Sequence, residues 1–97
     1  MIKFNNFNTE YNFIKSEIDA SIARVISSGW YILGTELSNF EKLFSKYLSA
    51  NYCVGVGSGT DALTISLMSL SIGKGDEVIT TSLTAYPTII GILNSGA

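Results

Sequence analysis

The chemistry in this chain is concentrated in Gly55-Val56-Gly57-Ser58-Gly59-Thr60-Asp61-Ala62-Leu63. A β-prone run enters a Gly-rich turn, and the turn opens a helix. The first turn of a helix carries backbone N–H groups without intrahelical acceptors, together with the positive end of the helix dipole. It is therefore suited to holding a phosphate. Glycine lets the backbone approach an anion closely, and Ser58 and Thr60 add hydroxyl donors. Three familiar patterns fail here. A GxGxxG fingerprint needs Gly where Thr60 stands, and a Walker A loop needs a Gly-Lys-Ser/Thr that is not present. A nucleophile elbow needs Gly at the positions of Val56 and Thr60. On these residues alone two readings stand, a phosphate cradle and an ordinary strand-to-helix turn capped by Ser58 or Thr60.

The elements that must position this turn are legible from spacing. From about Glu10 to Ser27, Tyr11, Ile14, Ile18, Ile22, Val25 and Ile26 recur at three- and four-residue intervals, which predicts an amphipathic helix over residues 10–27. Asn8 or Thr9 is the expected N-cap, and Ser28-Gly29 the stop. Trp30-Tyr31-Ile32-Leu33 is a short apolar connection closed by Gly34. Thr35 is expected to cap a second helix over residues 35–49, with Leu37, Phe40, Leu43, Phe44, Tyr47 and Leu48 as its apolar stripe. Residues 52–57 and 77–82 read as strands, the first nearly chargeless and suited to burial on both faces. Between them a third helix, Ala62 to Leu70, is apolar nearly all round and is expected to be sandwiched. Thr84 is the expected cap of a fourth helix, with Pro87 in its first turn and Asn94-Ser95-Gly96 at its end. Strands alternating with helices over residues 52–95 predict an α/β fold with a parallel sheet. Two strands make only an incomplete sheet, because a parallel sheet needs further neighbours and both faces covered.

Composition excludes several classes. The chain has 97 residues, 46% hydrophobic and 14% charged, with a formal net charge of -2. Disordered chains show the reverse balance. Six Lys and Arg without a cluster argue against a nucleic-acid binder. Cys53 stands alone and there is no His, which leaves neither a disulfide framework nor a His-built metal site. The most apolar stretch, Ala62 to Ile72, is broken by Thr64, Ser66, Ser69 and Ser71 and is too short to span a bilayer. Asn5, Asn6, Asn8 and Glu10 occupy the place of a signal-peptide core, so a cytoplasmic location is expected. A mean hydropathy of +0.32 is high for a small domain, and suits a chain that belongs inside something larger.

Ser58-Gly59-Thr60-Asp61-Ala62-Leu63, followed by Gly75-Asp76-Glu77-Val78-Ile79-Thr80, Thr84 and Gly96-Ala97, resembles the N-terminal part of the DegT/DnrJ/EryC1/StrS aminotransferases. The segment Gly29-Trp30-Tyr31-Ile32-Leu33-Gly34, with Leu37, Phe40 and Glu41 after it, fits the opening of that family. The resemblance runs from about Phe13 to Ala97. It implies the N-terminal part of the large domain of a fold type I transferase dependent on pyridoxal 5'-phosphate (PLP). It also implies action on nucleotide-linked keto sugars with an amino donor such as glutamate, in amino-sugar and cell-surface polysaccharide synthesis, and a homodimer. Ser58, Gly59 and Thr60 would then hold the cofactor phosphate. Asp61 is read chiefly as an acidic first-turn residue that suits the helix dipole. Trp30 and Tyr31 would lie near the substrate; a hydrophobic plug between the first two helices is the other reading of that pair.

Two departures qualify the resemblance. Many members of the family place a ring-stacking aromatic directly after the Thr equivalent to Thr84, where this chain has Ala85. Tyr86 is one residue further on, about 100° around a helix. None of Lys3, Lys15, Lys42, Lys46 and Lys74 aligns with the Schiff-base Lys of the family, so no catalytic residue is assigned and the chain is expected to be an N-terminal fragment inactive alone. The competing expectations are a small phosphate-ligand-binding α/β module and a remnant without a ligand.

Overall fold

The computed structural model describes residues 4–97. It contains four helices, α1 (Phe7–Ser28), α2 (Thr35–Tyr47), α3 (Gly59–Ser69) and α4 (Tyr86–Ser95). The chain divides into two units, Met1–Cys53 and Val54–Ala97. No helix among the described residues is long and apolar enough to cross a membrane.

The expected parallel sheet is not formed. Among the described residues none belongs to a strand, and residues 52–57 and 77–82 run as irregular segments. A strand exists only through the ladder it makes with a neighbour, and β-propensity is chiefly a fit to packed, half-buried surroundings. Here those surroundings are missing, and Tyr52, Val54 and Ile79 stand exposed.

In the first unit α1 begins upstream of the expected Asn8 or Thr9 cap. Asn6 takes the cap position, with its Nδ2 donating to Thr9 Oγ1 at 2.8 Å. The helix ends at Gly29, whose left-handed backbone (φ 65°) lets its N–H return to the Ile26 carbonyl. On the exposed face, the Lys15 ammonium binds Asp19 and the Tyr11 hydroxyl, and Tyr11 donates to Asp19 Oδ1 at 2.8 Å. The hydrogen bond from Lys15, and then that from Tyr11, holds the Asp19 carboxyl below its ordinary range. α2 starts with Thr35 already inside the helix and Gly34 at the cap, so the expected Thr35 cap is not made. Phe40, Phe44 and Tyr47 stack along one side of α2, with ring centroids 5.3 and 6.3 Å apart.

α2 and α3 end alike. At α2, Ser49 N–H returns to the Lys46 carbonyl and Ala50 N–H to that of Ser45. At α3, Ser71 N–H returns to Met68 and Ile72 N–H to Leu67. These are paired Schellman bonds, and they require a left-handed residue after the cap. Here that residue is a serine, Ser49 at φ 53° and Ser71 at φ 59°. A side chain in this region costs about 1–2 kcal/mol, part of which glycine returns as unfolded-state entropy. Ser71→Gly is therefore expected to raise the unfolding free energy by about 0.5–1 kcal/mol. Urea or thermal unfolding measures it, and a midpoint that falls would contradict the assigned geometry.

In the second unit α3 packs against α4. Thr84 does not cap α4. Ala85 holds that position, and the Thr84 hydroxyl pairs instead with that of Thr88 at 2.9 Å. Pro87 lies in the first turn, where its missing N–H removes no bond. α3, expected to be sandwiched, meets α4 along one side and leaves Ile65 and Met68 exposed. Among the described residues no hydrophobic side chain is buried, and Gly91 is the single buried residue.

Candidate phosphate and substrate site

The turn singled out in the sequence forms the N-terminus of α3. Ser58 is its cap in extended conformation (φ -158°, ψ 166°). Ser58 Oγ accepts the Asp61 N–H at 3.1 Å and donates to Asp61 Oδ2 at 2.8 Å, while the Ser58 carbonyl accepts the Ala62 N–H at 3.0 Å. Asp61 is thus a first-turn carboxylate locked to the cap, in keeping with the dipole reading. The Asp61 and Ala62 donors are satisfied by this arrangement. The Gly59 and Thr60 N–H groups have no acceptor among the described residues.

A Cβ built on Gly59 would meet no atom within 4 Å. Two backbone N–H groups and the Thr60 hydroxyl lie on this one turn, a donor set that suits a phosphate group. Ser58 and Gly59 are exposed and Thr60 is half-buried. No group of three or more His, Cys, Asp or Glu residues able to hold a metal occurs among the described residues. Ala85 caps α4 and Tyr86 begins it, exposed.

Trp30 and Tyr31 lie on the α1–α2 connection, within the first unit. That loop is held at several points. Ser28 Oγ donates to the Val25 carbonyl and accepts the Trp30 N–H at 3.0 Å. Tyr31 Oη reaches the Ile26 carbonyl at 3.4 Å. Leu33 adopts a left-handed backbone (φ 53°), a conformation that a leucine holds only under constraint. At Gly34 a Cβ would fall 2.9 Å from the Trp30 carbonyl oxygen, so only glycine closes the loop. The result is a groove of about 330 Å³ whose lining includes Trp30, Tyr31, Leu33, Arg24 and Glu36.

Sequence reading did not single out Arg24 and Glu36, which clamp this loop from its two flanking helices. Arg24 Nε donates to Glu36 Oε1 at 2.8 Å, and its Nη2 reaches Ser21 Oγ at 2.9 Å. The available signal was a pair of opposite charges bracketing the Gly29–Gly34 segment. The hydrogen bond from Arg24 holds the Glu36 carboxyl below its ordinary range. A depressed carboxylate contributes its stabilisation above its unfolded pKa and loses it as pH falls through the folded value. The loop is therefore expected to loosen as pH falls below the ordinary Glu range. Trp30, the chain's single Trp, reports it by a change in emission. Glu36→Gln should remove that acid transition, and a transition that survives the substitution would assign it elsewhere.

Residues 12–97 match the model of the DegT/DnrJ/EryC1/StrS aminotransferase family. A dTDP-3-amino-3,6-dideoxy-alpha-D-galactopyranose transaminase of Aneurinibacillus thermoaerophilus is 47% identical over 83 residues, which covers 86% of this chain and 23% of that protein. A UDP-2-acetamido-2-deoxy-3-oxo-D-glucuronate aminotransferase of Pseudomonas aeruginosa is 41% identical over 97 residues, covering 100% of this chain and 27% of its own length. The crystal structure of S. venezuelae DesV in complex with a ketimine intermediate superposes with a TM-score of 0.91 at 42% identity, over 98% of this chain and 26% of that one. The chain spans about a quarter of the length of the curated relatives it matches.

Proposed function

The chain belongs to the DegT/DnrJ/EryC1/StrS aminotransferase family, and on that premise we propose that its 97 residues contribute the phosphate-holding wall of a PLP-dependent sugar aminotransferase. The observation that carries the reading is the pair of first-turn N–H groups at Gly59 and Thr60, left without acceptors among the described residues at a helix N-terminus capped by Ser58. Ser58 shapes the turn and keeps Asp61 on the cap. Gly59 and Thr60 bind the cofactor phosphate through their N–H groups and the Thr60 hydroxyl, assisted by the α3 dipole. Bound there, PLP supplies the electron sink and amino-group carrier that transamination requires.

The substrate of the whole enzyme is a nucleotide-linked keto sugar, aminated from a donor such as glutamate. Relatives named as dTDP- and UDP-sugar transaminases support the sugar part of this reading. Trp30 and Tyr31 present exposed rings from a constrained loop, a form suited to packing on a sugar or base with little loss of side-chain freedom. The enzyme acts as a cytoplasmic homodimer, and the segments 52–57 and 77–82 become strands of its parallel sheet where neighbouring strands complete the ladder. Lys15 is held by Asp19 and Tyr11. Lys74 lies in the turn that follows α3, the far end of an 11-residue helix from the Gly59–Thr60 donors.

The test compares pyridoxine 5'-phosphate with pyridoxine, neither of which carries an aldehyde able to label surface lysines. In titrations of the 97-residue chain followed by amide NMR, the phosphorylated compound is expected to shift Gly59 and Thr60. Pyridoxine should leave them in place. Equal responses to both, or none to either, would contradict the assignment.

A further inference from the structure

We infer that Gly91 and Thr64 are positioning residues for the phosphate seat, acting through the packing of α4 on the first turn of α3. The inference rests on the phosphate reading above and goes beyond it, because neither residue offers a group to the phosphate.

Gly91 lies in the interior of α4, where glycine is a poor helix former, and it is the single buried residue among those described. Its burial has a specific cause. A Cβ at 91 would stand 2.8 Å from Leu63 Cβ and 3.3 Å from the Thr60 carbonyl oxygen. Leu63 Cβ is the root of its side chain and cannot rotate away, so any side chain at 91 must displace one helix from the other. The Thr64 hydroxyl spans the same contact. It lies 3.0 Å from the Thr60 carbonyl oxygen and 3.2 Å from that of Gly91, and can share its hydrogen between the two helices.

Both contacts converge on the Thr60 carbonyl. That carbonyl shares a rigid peptide plane with the Asp61 N–H, the donor that Ser58 Oγ accepts. A shift of α4 at Gly91 is therefore passed through one plane to the cap, and from the cap to the orientation of the Gly59 and Thr60 N–H groups. α4 sets how well the seat is aimed without touching what sits in it.

Inorganic phosphate is the probe, titrated into the full 97-residue chain and read from the Gly59 and Thr60 amide resonances, with far-UV circular dichroism recorded for each variant. Gly91→Ala and Thr64→Val are expected to weaken phosphate binding at least fivefold with helix content retained. Thr64→Ser, which keeps the hydroxyl, should stay within twofold of the parent chain. That rescue separates positioning from loss of stability. If Gly91→Ala fails to fold, the Thr64 pair decides alone. A parent chain that binds phosphate while Gly91→Ala and Thr64→Val bind it equally well overturns this inference and leaves the phosphate reading intact. A parent chain whose Gly59 and Thr60 amides ignore phosphate overturns the phosphate reading and, with it, this inference.

Discussion

Gly59→Leu is expected to lower the affinity of the chain for pyridoxine 5'-phosphate at least tenfold while leaving its helix content unchanged. The expectation follows from the space at position 59. A Cβ there meets nothing within 4 Å, and Gly59 is not among the residues with positive φ, so the backbone accepts a side chain. The leucyl group stands on the same helix turn as the Gly59 and Thr60 N–H groups and is expected to crowd an anion held by them. A hydrogen bond to a charged group contributes roughly 1.5–3 kcal/mol, and about 1.4 kcal/mol corresponds to tenfold in affinity. Loss of either bond therefore suffices. Thr60→Ala added to Gly59→Leu removes the hydroxyl as well and should abolish residual binding. Gly59→Ala, with a smaller group, should fall between the parent and Gly59→Leu. Isothermal titration or amide NMR measures the series. Unchanged affinity in Gly59→Leu would remove the α3 N-terminus as the seat of the phosphate.

The second large effect concerns the chain in isolation. Among the described residues of either unit no hydrophobic side chain is buried. Much of the exposed surface is aromatic or aliphatic, including Trp30, Tyr31, Ile32 and Leu33 on one loop and Phe40, Leu43 and Tyr47 on α2. Apolar patches of that kind drive association. The purified 97-residue chain is expected to associate reversibly into a dimer, small enough for its amide resonances to be followed, and to bind 1-anilinonaphthalene-8-sulfonate strongly. Sedimentation velocity and dye fluorescence test this. A monomer that unfolds cooperatively and excludes the dye would show that these faces are covered within the chain itself.

Features set by neighbouring residues were legible without coordinates. Gly29 stops α1 because a left-handed residue there costs glycine little, and Ser58, one of the two caps offered with Thr60, caps α3, which starts at Gly59 rather than at the expected Ala62. The Gly-rich turn, read against the physics of helix N-termini, left a phosphate cradle and an ordinary capped turn both open. The order of motifs from Gly29-Trp30 to Gly96-Ala97 pointed to the family that the comparisons show. Cap positions were less legible. At α4, Thr84 was the better capping side chain by type, but its hydroxyl pairs with Thr88, and the helix takes Ala85 as its cap. Ser49 and Ser71 accept left-handed backbones for a reason visible only once both returning Schellman bonds are drawn.

The line between the two kinds of information follows the range of the interactions. Helical periodicity, the stop at Gly29 and the donors at Gly59 and Thr60 arise from bonds spanning three or four residues, so the linear order of side chains carries them. A strand needs a ladder partner from elsewhere, which is why two β-prone runs remain irregular here. The Arg24–Glu36 clamp joins residues 12 apart, and the Thr64–Gly91 bond joins residues 27 apart. Neither spacing has a periodic signature. The chain's order of residues thus locates the helix start and its Gly59 and Thr60 N–H groups, whereas the close approach of Gly91 to that turn exists only when α3 and α4 pack.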